Sequence, residues 1–183
     1  MAEIIGVIGA GTMGNGIAQT AAGAGFDVVM CDVNAGFVEK GIQNIGKSLD
    51  RFVKKETMTE AEKAVVLGRI TTTTSFDDLK ACSLIVEAAT ENFEIKKQIF
   101  EKLDAITSAD AILSSNTSSI SITKIAAVTK RPDKVIGMHF FNPVPLMKLV
   151  EVIRGIATSD ETYAKVKALS EQLGKVPVEC NDY

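Results

Sequence analysis

Short apolar runs alternate with amphipathic stretches along most of the chain. The runs are rich in β-branched side chains and predict β-strands at residues 4–8, 26–31, 70–74, 84–89 and 111–115. Several of the intervening stretches repeat apolar residues at steps of three and four, which is typical of helices with one buried face. This alternation predicts an α/β fold with a doubly wound, largely parallel sheet.

Two of the helical patterns are long enough to show which face should be buried. The first places on one face Val38, Ile42, Ile45, Leu49 and Phe52. The second begins near residue 93 and predicts an inward face made of Ile95, Ile99, Leu103 and Ile106.

The pattern changes after residue 134. Residues 134–141 and 147–153 both predict strands, and the loop between them is too short for a crossover helix, so the two strands should be antiparallel neighbours. A last strand at residues 176–180 contains Pro177, which favours a position on the sheet edge. The sheet should therefore have an antiparallel extension near the C-terminus.

Three glycines follow the first strand and open the first helix. At Gly9, Gly11 and Gly14 they suit a tight turn, a close approach of the backbone to phosphates, and close packing of helix on strand. With Thr12 and Met13 between them, they place the helix N-terminus where its free N–H groups bind a pyrophosphate. The sequence predicts a Rossmann-type dinucleotide site here.

The second strand ends at Asp32, 18 residues after Gly14. An acid near this offset bonds the adenosine ribose hydroxyls in dinucleotide-binding folds, although Asp32 also suits the cap of the next helix. Residues 31–34 contain no Arg or Lys to receive a 2′-phosphate. NAD(H) is therefore favoured over NADP(H).

The composition excludes several classes of protein. A net charge of −3 argues against a nucleic-acid or membrane-surface binder, and no apolar run approaches the ~20 residues that cross a bilayer. The early first strand predicts that no signal peptide is present. The cysteines Cys31, Cys82 and Cys180 lack metal-ligand spacing, so we expect no metal site and a reduced, cytoplasmic protein.

His139 is the single histidine and the natural candidate for a proton-transferring group. If the predicted hairpin is centred near Pro145, Glu151 falls opposite His139 and can orient the imidazole. The alternatives are a structural histidine and, for Glu151, an edge-strand charge that faces water.

Other polar residues follow strand ends or line a helix. Ser118 is a candidate substrate contact or a helix cap, and Asn116 and Asn142 are candidate ligand contacts or turn formers. Glu91 and Lys96 stand where a strand end meets a helix, an edge at which ligands bind in open α/β sheets. The helix that carries Ser48, Lys54 and Lys55 presents either a solvated surface or a site for a phosphate-bearing substrate.

Four motifs in this order resemble the NAD-binding domain of 3-hydroxyacyl-CoA dehydrogenases. They are residues 9–14 (GAGTMG), 115–119 (SNTSS), 137–145 (GMHFFNPVP) and 147–151 (MKLVE). The resemblance covers the whole chain and is closest to the bacterial 3-hydroxybutyryl-CoA branch of the family.

The resemblance implies reversible oxidation of an (S)-3-hydroxyacyl-CoA by NAD⁺ to the 3-oxoacyl-CoA. It implies that His139 exchanges the proton with the substrate oxygen, that Glu151 pairs with it, and that Ser118 bonds the same oxygen. The implied cofactor contacts are Asp32, Glu91, Lys96, Asn116, Ser118 and Asn142, beside the glycine loop. Ser48 and Lys55 match positions that meet coenzyme A.

The resemblance also implies a C-terminal helical domain that completes the cleft and forms a homodimer. Residues 1–183 are expected to be the NAD-binding domain alone, without that helical domain and with little activity by themselves. Two other functions stay open: a non-catalytic NAD(H)-binding module, and a related dehydrogenase of a sugar acid.

Overall fold

One mixed sheet carries the fold. The computed structural model describes residues 3–182, and its sheet has eight strands. The strands are β1 (Ile4–Ile8), β2 (Asp27–Cys31), β3 (Ile70–Thr73), β4 (Leu84–Glu87), β5 (Ile112–Ser115), β6 (Val135–Phe140), β7 (Leu149–Arg154) and β8 (Val176–Asn181). The α-helices are α1 (Thr12–Gly23), α2 (Ala35–Lys54), α3 (Glu60–Gly68), α4 (Phe93–Ile106), α5 (Ile122–Ala126) and α6 (Asp160–Gln172).

The strand order is β3-β2-β1-β4-β5-β6-β7-β8. Strands β1 to β6 are parallel, β7 is antiparallel to β6, and β8 runs parallel to β7 on the edge. The predicted fold class is confirmed, including the antiparallel extension and the edge strand with Pro177. The order reverses between β1 and β4, and ligands bind at the carboxyl ends of strands at such a switch point.

The buried face of α2 is the predicted one, but the buried face of α4 is not. Val38, Ile45 and Leu49 of α2 are buried. In α4 the buried side chains are Lys96, Phe100 and Leu103, whereas Ile95 is 44% exposed and Ile99 and Ile106 are only half-buried. The prediction for α4 was right for Leu103 and wrong for Ile95, which lines a cleft, whereas Ile99 lines the same cleft and also packs against the core.

The end of β8 is tied to the start of α5. The Asp182 carboxylate accepts hydrogen bonds from the Ser121 hydroxyl and from the N–H groups of Ile122 and Thr123. Tyr183 lies outside the described residues. The three cysteines are free thiols, as expected. Within residues 3–182, none of the helices combines the length and apolar character needed to span a membrane.

Candidate functional site

The glycine loop forms a tight connection between β1 and α1. Gly9 has φ +99°, and a Cβ there would lie 2.5 Å from the Ala88 carbonyl oxygen. A Cβ on Gly14 would lie 1.8 Å from the Gly9 carbonyl oxygen, so only glycine lets the first turn of α1 approach this loop. A Cβ on Gly11 would meet nothing within 4 Å, which leaves space above the helix N-terminus for a phosphate group.

Asp32 lies beside this loop at the end of β2. Its Oδ2 accepts a hydrogen bond from the Ala10 N–H at 2.8 Å. The cap of α2 is Asn34, whose side chain accepts from the Gly36 N–H, so the alternative of Asp32 as a helix cap is wrong. The other carboxylate oxygen makes no hydrogen bond to a described residue and is free for ribose hydroxyls.

A cleft of about 690 Å³ opens in front of the glycine loop. The cleft is lined by Gly9, Gly11, Thr12 and Asp32 of the glycine loop and β2 end, and by Phe76, Thr90, Ile95, Ile99 and Lys102. The loop, the open helix N-terminus, the carboxylate and these apolar walls together fit a dinucleotide. Lys40 of α2 and Lys102 of α4 also line the cleft and were not predicted, because only the packing of these helices beside the sheet brings the two lysines to it.

Glu91 joins two loops at the carboxyl edge of the sheet. Its Oε2 accepts from the Thr117 hydroxyl at 2.6 Å, and its Oε1 accepts from the Ser118 N–H at 3.3 Å. Asn116 Oδ1 accepts from the Phe140 N–H at 2.8 Å, which ties the same loop to the residue after His139. Ser118 is exposed, and its hydroxyl bonds no described residue. Ser121 caps α5, so Ser118 is not the cap.

Lys96 lies near the start of α4 and beside the end of β4, at the edge that the sequence predicts. Its ammonium group is buried and bonds both carboxylate oxygens of Glu87, at 2.7 and 2.9 Å. Lys96 is not among the residues that line the cleft, so its direct contact with a cofactor stays a prediction. Asn142 is exposed at the start of the β6–β7 loop, and its side chain makes no hydrogen bond within residues 3–182.

His139 and Glu151 are cross-strand partners in the β6–β7 ladder, as predicted. Nδ1 of His139 lies 2.7 Å from Oε2 of Glu151, so the carboxylate keeps the proton on Nδ1 and leaves Nε2 for a ligand. The Phe141 ring packs against the imidazole at 4.6 Å between centroids. Glu151 is not an edge-strand charge, because β8 covers the far side of β7.

Lys175 anchors the β6–β7 loop through hydrogen bonds. The buried Lys175 ammonium donates to the carbonyl oxygens of Val144 and Met147, and burial lowers the pKa of this lysine. No sequence pattern indicates this role, since Lys175 lies far along the chain from the loop that it supports. The contact fixes the segment that follows the His139 strand.

Ser48 and Lys55 lie along the C-terminal part of α2, where Lys55 is the cap residue. Phe52 shares their helical face and lines a second pocket, of about 420 Å³. Pro145 and Leu146 of the β6–β7 loop line the same pocket. The pocket therefore joins Phe52 of α2 to the β6–β7 loop, but Ser48 and Lys55 are not among the residues that line it.

Comparison with known proteins places this geometry in a family. Residues 4–183 match the family model described as 3-hydroxyacyl-CoA dehydrogenase, NAD binding domain. The chain belongs to this family. The match confirms both the resemblance found in the sequence and NAD(H) as the cofactor.

Other members of the 3-hydroxyacyl-CoA dehydrogenase family are similar over nearly all of this chain. A probable 3-hydroxybutyryl-CoA dehydrogenase of Bacillus subtilis is 52% identical over 97% of this chain and 62% of its own length. The solved (S)-3-hydroxybutyryl-CoA dehydrogenase PaaH1 of Ralstonia eutropha is 55% identical with a TM-score of 0.98, over 100% of this chain and 65% of that one. The chain therefore spans less than two thirds of the length of these relatives.

Proposed function

We propose that this chain is the cofactor-binding domain of an enzyme that interconverts (S)-3-hydroxybutyryl-CoA and acetoacetyl-CoA with NAD(H). The observation that carries the proposal is the His139–Glu151 pair, whose imidazole is oriented at 2.7 Å beside the loop that bears Ser118. The printed names of the relatives from Bacillus subtilis and Ralstonia eutropha supply the substrate class.

In this proposal the chain's own residues bind and orient the reactants and move one proton. When bound, NAD(H) supplies the acceptor or donor of a hydride. His139 Nε2 takes the proton from the 3-hydroxyl during oxidation and returns it to the 3-oxo oxygen during reduction. Glu151 stabilises the imidazolium that exists between these steps. The Ser118 hydroxyl donates a hydrogen bond to the same substrate oxygen and fixes its position.

The coenzyme A portion would lie along the C-terminal part of α2. Ser48 and Lys55 would meet its polar groups, because the ammonium group of an exposed lysine attracts phosphate. The pocket between Phe52 and Leu146 supports this placement, since it reaches from that helix to the loop after His139. In this proposal the NAD-binding domain forms only part of the cleft, so acyl-CoA should bind weakly to residues 1–183 alone.

We also propose a second domain, an oligomeric state and a cellular location for the protein. A helical C-terminal domain would complete the cleft and form a homodimer, as the family resemblance implies. We also propose that the protein acts in cytoplasmic butyrate and fatty acid metabolism, with no nucleic-acid or membrane partner.

The test is a chimera in which the remaining C-terminal part of the Bacillus subtilis relative follows this chain. We expect it to oxidise (S)-3-hydroxybutyryl-CoA with NAD⁺ far faster than the (R)-isomer or a sugar acid. A chimera that binds NADH but oxidises none of these compounds would support the non-catalytic module instead. Preferential turnover of a sugar acid would support the related dehydrogenase.

A further inference from the structure

Lys175 lies between α6 and β8 and is a buried lysine without an anionic partner. It is 7% exposed, and none of the ion pairs between described residues includes it. Burial of an ammonium group is unfavourable when no carboxylate neutralises it, because the group loses water without gaining an opposite charge. A methionine of similar length would fill the same space without this cost. Packing alone therefore does not explain the lysine.

The ammonium group binds two backbone carbonyls of the β6–β7 loop. It donates to the carbonyl oxygens of Val144 and Met147. Inside the loop, the Pro143 carbonyl oxygen accepts from the N–H groups of Leu146 and Met147, at 3.0 and 2.9 Å. Among residues 3–182, no backbone N–H donates to the Val144 carbonyl or to the Met147 carbonyl. Lys175 therefore supplies the donors that the backbone of the loop does not.

One side chain and one backbone bond also hold this loop. Val144 is buried against α1, where a Cβ on Gly16 would lie 2.9 Å from the Val144 Cβ. The Lys148 carbonyl oxygen accepts a hydrogen bond from the Val176 N–H at 2.8 Å, which ties the end of the loop to the start of β8. The ammonium group adds a link between these two points, so the whole segment is fixed to α1 and β8.

Asn142 lies at the start of the same loop, three residues after His139 and two before Val144. It is exposed, and its side chain bonds no described residue, which leaves it free to meet a ligand. His139 itself is fixed by the β6–β7 ladder and by Glu151. The geometry between His139 and Asn142 therefore depends on how firmly the loop after Asn142 is held.

We propose that Lys175 is a positioning residue for the dehydrogenase reaction: through the carbonyls of Val144 and Met147, it holds the β6–β7 loop so that Asn142 keeps its place beside His139. Lys175 is not among the residues that line the cofactor cleft, so it acts through the loop. This inference rests on the proposed function, with Asn142 as a ligand contact.

The first test needs only this chain and no activity. Lys175→Met keeps the length of the side chain and removes both hydrogen bonds to the loop. The amides of Leu146 and Met147 should then exchange with solvent at least about tenfold faster, because two buried carbonyls lose their donors and the turn opens more often. Amides of the β6–β7 ladder should keep their protection. Unchanged exchange at Leu146 and Met147 would overturn the proposal.

The second test measures acetoacetyl-CoA reduction by NADH in the chimera. We expect kcat to fall at least about tenfold in Lys175→Met, since a displacement of about 1 Å at a reacting site costs up to about 10²-fold. Asn142→Ala should also lower kcat, and adding Lys175→Met to it should cost less than about twofold more, because the two residues act as one unit. Effects of the two substitutions that multiply, or an Asn142→Ala chimera with unchanged kcat, would contradict this coupling and overturn the proposal.

Thr158→Val is the matched control, since Thr158 is also buried and bonds backbone groups, but at the opposite end of the β6–β7 pair. Its hydroxyl donates to the Val135 carbonyl and accepts from the Gly155 N–H. This variant should lower the unfolding midpoint and leave kcat unchanged. A folded Lys175→Met chimera that behaves in the same way would show a merely structural lysine and overturn the proposal.

Lys175→Gln decides if Lys175→Met does not fold, because its shorter amide still donates and carries no buried charge. We expect kcat to fall by about threefold, the cost of one neutral hydrogen bond. Unchanged kcat in folded Lys175→Gln would overturn the proposal. An unmutated chimera that does not reduce acetoacetyl-CoA contradicts the proposed function instead, and the exchange measurement still tests whether Lys175 holds the loop.

Discussion

Asp182 closes the end of β8 onto the start of α5, and its removal should destabilise the domain measurably. In Asp182→Ala, the N–H groups of Ile122 and Thr123 and the Ser121 hydroxyl lose their acceptor. Loss of a helix cap costs 0.5–2 kcal/mol, and charged hydrogen bonds lie at the stronger end, so we expect about 2 kcal/mol. At about 2–4 °C per kcal/mol for a domain of this length, Tm should fall by about 4–8 °C.

The effect should depend on pH in a defined direction. Burial would raise the pKa of Asp182, but the hydrogen bonds from Thr123, Ser121 and Ile122 outweigh it and hold the pKa below its usual range. A carboxylate with a lowered folded-state pKa contributes stability above its unfolded pKa of about 3.9 and loses it as the pH falls further. The difference between Asp182→Asn and the unmutated chain should therefore be largest near neutral pH and shrink in acid.

Calorimetry and urea denaturation at several pH values measure this difference. Asp133→Ala is the control, because the exposed Asp133 carboxylate makes no hydrogen bond to a described residue. An Asp182→Ala chain that unfolds at the same temperature as the unmutated chain would show that the hydrogen bonds of Asp182 do not stabilise the domain. A difference that grows as the pH falls would refute the assigned direction of the pKa shift.

Three further substitutions test the binding surfaces. Asp32→Ala should weaken NADH binding and reduce the chain's preference for NADH over NADPH in paired titrations, because the Asp32 carboxylate repels a 2′-phosphate. An unchanged ratio of the two dissociation constants would contradict this role of Asp32. Gly14→Ala should abolish NADH binding, since the added Cβ would lie 1.8 Å from the Gly9 carbonyl oxygen. Retained affinity for NADH would show that the glycine loop can shift to accommodate the methyl group. Lys55→Ala should remove the salt-dependent part of weak coenzyme A binding, because exposed charges are screened beyond ~8 Å at physiological ionic strength. Salt-insensitive binding of coenzyme A to the unmutated chain would exclude Lys55 as a coenzyme A contact.

The hairpin and the glycine loop were predictable because local rules set their geometry. The short loop between β6 and β7 forces antiparallel pairing, and the ladder register then brings His139 opposite Glu151. The glycine spacing and the acid at Asp32 follow from the needs of a tight turn and a ribose contact. These features depend on neighbours in sequence or on one strand pairing.

The incorrect or missing predictions concern features that only the tertiary structure determines. Apolar periodicity cannot distinguish a core from the wall of a cleft, so the sequence pattern predicts a buried Ile95 although this side chain lines the cleft. The burial of Lys96 was missed because helix periodicity treats a lysine as a surface residue, and only the tertiary structure brings it to Glu87. Lys40 reaches the cleft in the same way, through the packing of α2 against the sheet.

We expect His139, oriented by Glu151, to transfer the proton in a 3-hydroxyacyl-CoA dehydrogenase reaction. In the chimera, acetoacetyl-CoA reduction by NADH should fall at least ~100-fold in His139→Gln, the usual contribution of a general acid–base group. NADH affinity should be nearly unchanged, because the imidazole is not part of the glycine-loop cleft. A folded His139→Gln chimera that keeps most of the acetoacetyl-CoA reduction rate would show that His139 does not transfer the proton.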